Sequence, residues 1–305
     1  VRFGVTLPNF GDYWHPRRLA LLATDAERAG WDGFFLWDHV MFGSTPTADP
    51  WVALSAVALA TERIRIGPLV TPLPRRRPVK LARETVSLDH LSGGRLVLGV
   101  GSGSGPWEWQ DLGDEADLAR RAAMLDEGLD LLTRLWSGEQ VDHQGTHYRV
   151  RVELPGGQGL ATFLPVPLQT PRIPIWVGAT WPHRAPFRRA ARWDGVAPIK
   201  DGQGLDAGLS VGDIQAIRAF CDGARGGARP FDVVVSGRTS GSNRDADSAL
   251  VRAYAEAGAT WWLENISPWA FGWNWSGPWP ADAMRARILA GPPADATMPA
   301  GPAPI

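Results

Sequence analysis

Eight β-rich runs alternating with amphipathic stretches predict an α/β fold, a (β/α)8 barrel. Two further observations support this. The 305 residues lie within the range of one such barrel, and 44% hydrophobic content can fill one large core. A doubly wound open sheet is the competing arrangement.

The strand candidates are residues 3–7, 33–37, 64–70, 96–100, 175–178, 195–199, 233–236 and 261–264. The helix candidates between them are 16–29, 51–61, 79–90, 116–136, 184–192, 212–224 and 246–257. Gly30 stops the first helix, and Gly93 with Gly94 stops the third. Residues 140–174 break the rhythm with a hairpin pattern, VDHQGTHYRV, and then a Gly/Pro-rich stretch. They read as an insertion after the fourth βα unit, a lid or pocket wall. Residues 1–290 then form a single barrel domain, and the Pro/Ala-rich residues 291–305 read as a tail.

Active sites of such barrels lie at the carboxyl ends of the strands. The apolar run FFLWDHV leaves its strand at Trp37, so Asp38 and His39 are the first residues over the rim. The same rule nominates Thr71, the run from Gly101 to Gly105, Thr180 with Trp181, Lys200, and Glu264 with Asn265. Glu264 and Asn265 either face a substrate or pair with a core polar group. Trp37, Trp107, Trp109 and Trp181 fall at rim positions suited to an apolar or aromatic substrate pocket. Six of the 16 tryptophans lie between Trp261 and Trp279, and this cluster reads first as core.

Other classes fit poorly. A net charge of -1 and a pI near 6.7 offer no field for nucleic acid, which leaves a small molecule as the expected partner. The longest apolar stretch, WVALSAVALA, is far shorter than the roughly 18 residues of a membrane span. VRFGVTLP is a strand pattern and not a secretory signal, and the single Cys221 fits a reducing compartment, so a cytoplasmic location is expected. His143 and His147 straddle Gly145 without a carboxylate cluster, so no metal site is expected. LGVGSGSG lacks the Lys-Ser/Thr of a P-loop, and Pro106 stands where GxGxxG needs its third glycine.

Taken together, WDHV, RIRIGPLVTPLPRRRP, LDHLSGGRLVLGVGSG, PIWVGAT and RRAARWDGV resemble the bacterial luciferase-like oxidoreductases, including their coenzyme F420-dependent branch. The resemblance covers the chain to about Lys200. It implies a TIM barrel that binds F420, or alternatively FMN, at the carboxyl rim. His39 then matches the histidine that lies against the deazaflavin ring and moves the substrate proton, and Asp38 contacts the cofactor or orients the imidazole. Gly101, Ser102, Gly103 and Ser104 pass close under the ring, and Gly178, Ala179 and Thr180 match a cofactor phosphate loop. A non-prolyl cis peptide backing the ring is expected between Pro68 and Leu69, next to Thr71.

Arg75, Arg76 and Arg77 either screen a phosphate or acidic tail or are merely solvated, and Lys200 is expected near the same tail. F420-dependent sugar phosphate dehydrogenases carry a catalytic glutamate where Ser104 aligns. Its absence argues against a sugar phosphate substrate and a two-residue acid/base mechanism. The implied function is hydride transfer between F420 and a small organic substrate. The alternatives are an FMN-dependent two-component monooxygenase using reduced flavin and O2, and a non-catalytic flavin- or ligand-binding barrel. The partners this reading allows are an apolar or aromatic small molecule, a flavin or F420 reductase, and a second copy in a homodimer.

Overall fold

A computed structural model describes residues 1–103, 105–201, 208–226 and 229–293. Its strands are β1 (Arg2–Leu7), β2 (Gly33–Leu36), β3 (Arg65–Pro68), β4 (Thr71–Pro72), β5 (Leu98–Gly101), β6 (Asp142–Gln144), β7 (Arg149–Arg151), β8 (Ile175–Trp181), β9 (Gly195–Lys200), β10 (Asp232–Gly237) and β11 (Trp261–Asn265). Nine of these form one parallel sheet in the order β3-β2-β1-β11-β10-β9-β8-β5-β4. The sheet closes on itself, because β3 and β4 are two halves of one strand: β3 pairs with β2, β4 pairs with β5, and a bridge joins Ile66 to Leu96. Eight strand positions therefore make a barrel, as expected.

The helices α1 (Pro16–Arg28), α2 (Pro50–Ala60), α3 (Pro78–Leu91), α4 (Leu118–Trp136), α5 (Arg184–Ala190), α6 (Val211–Arg225), α7 (Arg244–Glu256) and α8 (Ala281–Leu289) follow. The first three each open on proline, which loses no hydrogen bond in a first turn. Asp49 caps α2 through the amides of Trp51 and Val52, and Ser210 with Asp213 forms a capping box on α6. Helix α8 was not among the helix candidates. Its Ile288 carbonyl accepts the Trp31 indole N–H at 2.8 Å, and its Arg287 reaches buried Glu264 at 3.3 Å. No helix among the described residues is long and apolar enough to cross a membrane.

Strand parity separates two cores. Outward side chains such as Val5, Leu36, Ile66, Val177 and Val235 join the layer between sheet and helices. Inward ones, Phe35, Val97, Trp176, Val234, Trp261 and Leu263, plug the barrel axis.

The seam between the third and fourth strand positions is backbone against backbone. A Cβ on Gly67 would lie 1.9 Å from the Val97 carbonyl oxygen, and one on Gly99 would lie 2.4 Å from that of Pro68. The cis peptide falls between Leu69 and Val70, one residue later than expected. The reason lies in the ladder. The Leu69 amide still donates to the Leu36 carbonyl at 2.7 Å, so pairing with β2 runs through Leu69 before the strand breaks.

β6 and β7 form an antiparallel hairpin, and Glu127 of α4 binds the His143 ring and the amides of His147 and Tyr148. Further on, Arg83 and His90 of α3 bond the carbonyls of Leu164 and Val166, and Asp89 accepts from the amides of Leu168 and Gln169. These contacts strap the segment along α3 and α4. Of the expected tail, residues 294–305 lie outside the described residues.

Gly67→Ala should lower the unfolding free energy by about 3 kcal/mol or prevent folding, because the clash is with backbone. Gly223→Ala, on an exposed face of α6 with nothing near the added Cβ, should be neutral or stabilising by about 0.5–1 kcal/mol. Urea unfolding midpoints of both variants check this; similar midpoints would refute the seam.

Candidate active site at the barrel rim

The chain leaves β2 and is caught by a side chain from the end of β1. Buried Asn9 donates from Nδ2 to the carbonyls of His39 (2.8 Å) and Ala48 (2.7 Å), and its Oδ1 accepts the His39 amide at 3.2 Å. One amide group thus fixes the path of the backbone at His39.

Asp38 and His39 have different partners. Thr71 Oγ1 donates to Asp38 Oδ2 at 2.7 Å, and Arg76 Nη2 donates to both carboxylate oxygens at 2.7 and 2.9 Å. The Asp38 carboxylate is enclosed by these groups, so it does not orient the imidazole. That place belongs to Glu108, which sequence reasoning missed. His39 Nδ1 lies 3.1 Å from Glu108 Oε1, an ion-pair distance without the alignment of a hydrogen bond. Glu108 lies four residues after Ser104 in the chain. Ser104 itself lies outside the described residues.

Glu108 is buried and held on several sides. The Val40 amide donates to it at 3.3 Å, and Arg75 Nη2 lies 3.3 Å from Oε2. Burial works to raise its carboxyl, but the His39 side chain and the Arg75 guanidinium outweigh that and hold it below its ordinary value of 4.5. Arg75 also meets Asp114 at 3.3 Å and lies over the Trp109 ring, which Arg121 covers as well. Gly103 makes room for that ring: a Cβ there would sit 1.5 Å from Trp109 Cζ2, and its φ of +85° is a glycine conformation. Arg75 and Arg76 are thus engaged by carboxylates, and neither is merely solvated.

Above the plug of the barrel axis, the inward positions open. Leu69 and Ala197 rest on the plug, and Val70 packs against the bare Cα positions of Gly101 and Gly178. Val70, Ser102, Gly178 and Thr180 are half-buried, and Ile199, on the inward parity of β9, is 58% exposed. The mouth is thus lined by glycine, alanine, aliphatic and hydroxyl side chains. That surface fits a flat, largely apolar ring.

Several expected residues lie elsewhere. Gly178, Ala179 and Thr180 are strand residues, since β8 stays paired with β9 through Trp181 and Lys200, and the turn to α5 starts only at Pro182. Trp181 points outward and packs on Phe187 at 5.3 Å under Arg184, so it is core and not pocket. Trp109 is buried. Lys200 Nζ is taken by Asp213 at 2.9 Å. Glu264 faces outward to Thr239, Trp262 and Arg287, which settles it as a core polar group; burial pushes its carboxyl up against those donors.

Trp37 and Trp107 do flank His39, with ring centroids 6.0 and 5.8 Å from the imidazole. The late tryptophans divide: Trp261 and Trp262 are core, while Trp269 and Trp275 meet Phe42 at the rim. A cleft of about 520 Å³ opens on another side of His39, between Val40, Pro50, Arg76 and Leu112. A second cleft, about 380 Å³, lies at the opposite barrel end around Arg2, Trp31 and Arg63, far from this constellation.

A closed barrel with a split third strand and a histidine just past the second is the frame on which this constellation stands. The chain belongs to the luciferase-like monooxygenase family, which it matches over residues 1–265. It is 34% identical over 189 residues to the F420-dependent glucose-6-phosphate dehydrogenase of Microbacterium testaceum, covering 60% of this chain and 52% of that one. It is 32% identical over 201 residues to the 4-hydroxyprotoasukamycin monooxygenase of Streptomyces nodosus subsp. asukaensis, covering 64% and 50%. The chain thus spans about half the length of these curated relatives. Among solved structures it resembles an F420-dependent secondary alcohol dehydrogenase bound to an F420-acetone adduct, at a TM-score of 0.69 and 15% identity, covering 88% of this chain and 94% of that one. A monooxygenase from Streptomyces bottropensis matches at a TM-score of 0.63 and 25% identity, covering 84% and 77%.

Because the folded Glu108 carboxyl titrates below its ordinary value, its pairing stabilises the fold at pH above 4.5 and is lost as pH falls through the folded value. Glu108→Gln should therefore flatten the fall in Tm between about pH 5 and 3. Calorimetric scans of both proteins across that range test this, and superimposable profiles would remove the pairing.

Proposed function

We propose that this protein is an oxidoreductase that transfers a hydride between coenzyme F420 and a small organic substrate at the carboxyl rim. The observation that carries the reading is the His39–Glu108 pair standing beside an open, uncharged barrel mouth. The 34% identical F420-dependent relatives favour F420 over FMN. Leu69 and Val70 would back the ring, with Val70 seated over the bare Cα positions of Gly101 and Gly178. The bound ring supplies the hydride chemistry, as carrier of two electrons.

The chain's own residues handle the proton. An imidazole held beside a buried carboxylate keeps one orientation, so His39 can hold a proton on Nδ1 toward Glu108 and exchange another at Nε2. Glu108 is the positioning residue, and Arg75 and Asn9 position Glu108 and the His39 backbone in turn. Arg75 and Arg76, paired with Glu108, Asp114 and Asp38, leave no ready seat for a substrate phosphate. The reading therefore departs from glucose 6-phosphate, which the relatives' name carries. A second reading, an FMN monooxygenase served by a separate reductase, is favoured by the 32% identical monooxygenase.

Calorimetric titrations with F420 and with FMN separate the two readings. Tight F420 binding with FMN at least about tenfold weaker supports the first, the reverse supports the second, and failure of both to bind defeats each. His39→Ala should retain cofactor binding while turnover falls by about 100-fold or more, as expected for loss of a general acid/base. Unchanged turnover would strip His39 of that role.

A further inference from the structure

The rim carries more aromatic surface than a cofactor seat requires. Phe10 and Phe42 stack with centroids 3.9 Å apart and planes within 7°. The Phe42 ring lies 8° from parallel with Trp275 at 6.1 Å, and Trp37 lies 4° from parallel with Trp269 at 6.2 Å. His39 and Trp107 are 18° from parallel at 5.8 Å. These rings form one wall with the proton-transfer residue, since the Phe42 ring is 5.5 Å from the imidazole and meets Trp107 edge-on at the same distance.

The wall is also open. Trp275 is 63% exposed and Trp107 is 38% exposed. Trp275 is the one non-glycine residue with a left-handed φ, +72°, among the described residues. That conformation is costly for a bulky side chain, and here it holds a water-facing indole parallel to Phe42. Exposed apolar surface of this kind, continuous with a reactive group, is what a ligand site presents. Its chemistry is selective, because the flat faces are π surfaces and the adjoining arginines are already paired with Asp38, Glu108 and Asp114.

We propose that Phe42, Trp107 and Trp275, backed by buried Trp269, form a substrate subsite for a planar, multi-ring aromatic group, bound so that its reacting carbon is presented toward His39. This rests on the oxidoreductase reading above and narrows its substrate class. A saturated ring system of equal size would fill the same volume but lose the stacking.

Calorimetric titration of the whole chain with 2-naphthol and with decahydro-2-naphthol tests it. The unsubstituted protein should prefer 2-naphthol by about tenfold, the scale of two aromatic contacts. That preference should drop below about threefold in Trp275→Gly, where glycine suits the left-handed backbone, and in Phe42→Leu, which keeps bulk without the ring. Binding of neither probe, equal binding of both, or a preference untouched by both substitutions overturns the proposal. F420 and FMN affinities measured on the same samples separate the two readings: binding of neither cofactor with the naphthol preference intact refutes the oxidoreductase and leaves the aromatic subsite.

Discussion

Two consecutive arginines hold the rim together. Arg76 neutralises Asp38 and Arg75 neutralises Glu108, and both carboxylates are buried. A buried carboxylate without its partner is strongly unfavourable, so each arginine pins the loop that bears its acid. The loop after β4 therefore acts as a staple between the loop after β2 and the loop after β5. The position of His39 depends on that staple through Glu108, and on Asn9 through the backbone. Acid/base geometry and loop geometry are here the same constraint.

This arrangement also sorts the rim by polarity. Charge is gathered on the outer side of His39, where it is internally balanced, while the barrel axis stays apolar above the Phe35, Trp176 and Trp261 plug. The mouth presents hydroxyl, aliphatic and aromatic groups and the His39 imidazole. Burial of Glu108 strengthens its interaction with the His39 and Arg75 side chains beside it.

Much of the fold was legible because a buried parallel strand announces itself as a short apolar run, and all eight barrel strands were placed from such runs. Helix α8 was not, since its buried surface comes from Met284, Ile288 and the stem of Arg287, too few apolar residues for a periodic signal. The docking of the insertion was not legible for a related reason: it rests on Glu127 and Asp89, two acids that look like any solvated helix charge. Within the site, Asp38, His39 and Thr71 were visible from the rim rule. Glu108 was hidden in a loop without periodicity, and only closure of the barrel brings it to His39. Trp181 could have been excluded by parity alone, because β8 alternates and its inward residues are Trp176, Gly178 and Thr180.

The contact between Glu264 and Arg287 has a consequence for where this protein can be divided. The family match ends at Asn265, and Glu264 stands at that edge with a cationic partner, Arg287, on α8. Trp31, near the start of β2, likewise gives its indole proton to Ile288. A cut after the last shared strand would expose an acid meant to be buried and strip the outer cover from the first two βα units. The stretch that the family model matches and the cooperative unit therefore do not coincide: α8, beyond the match, is a structural part of the barrel.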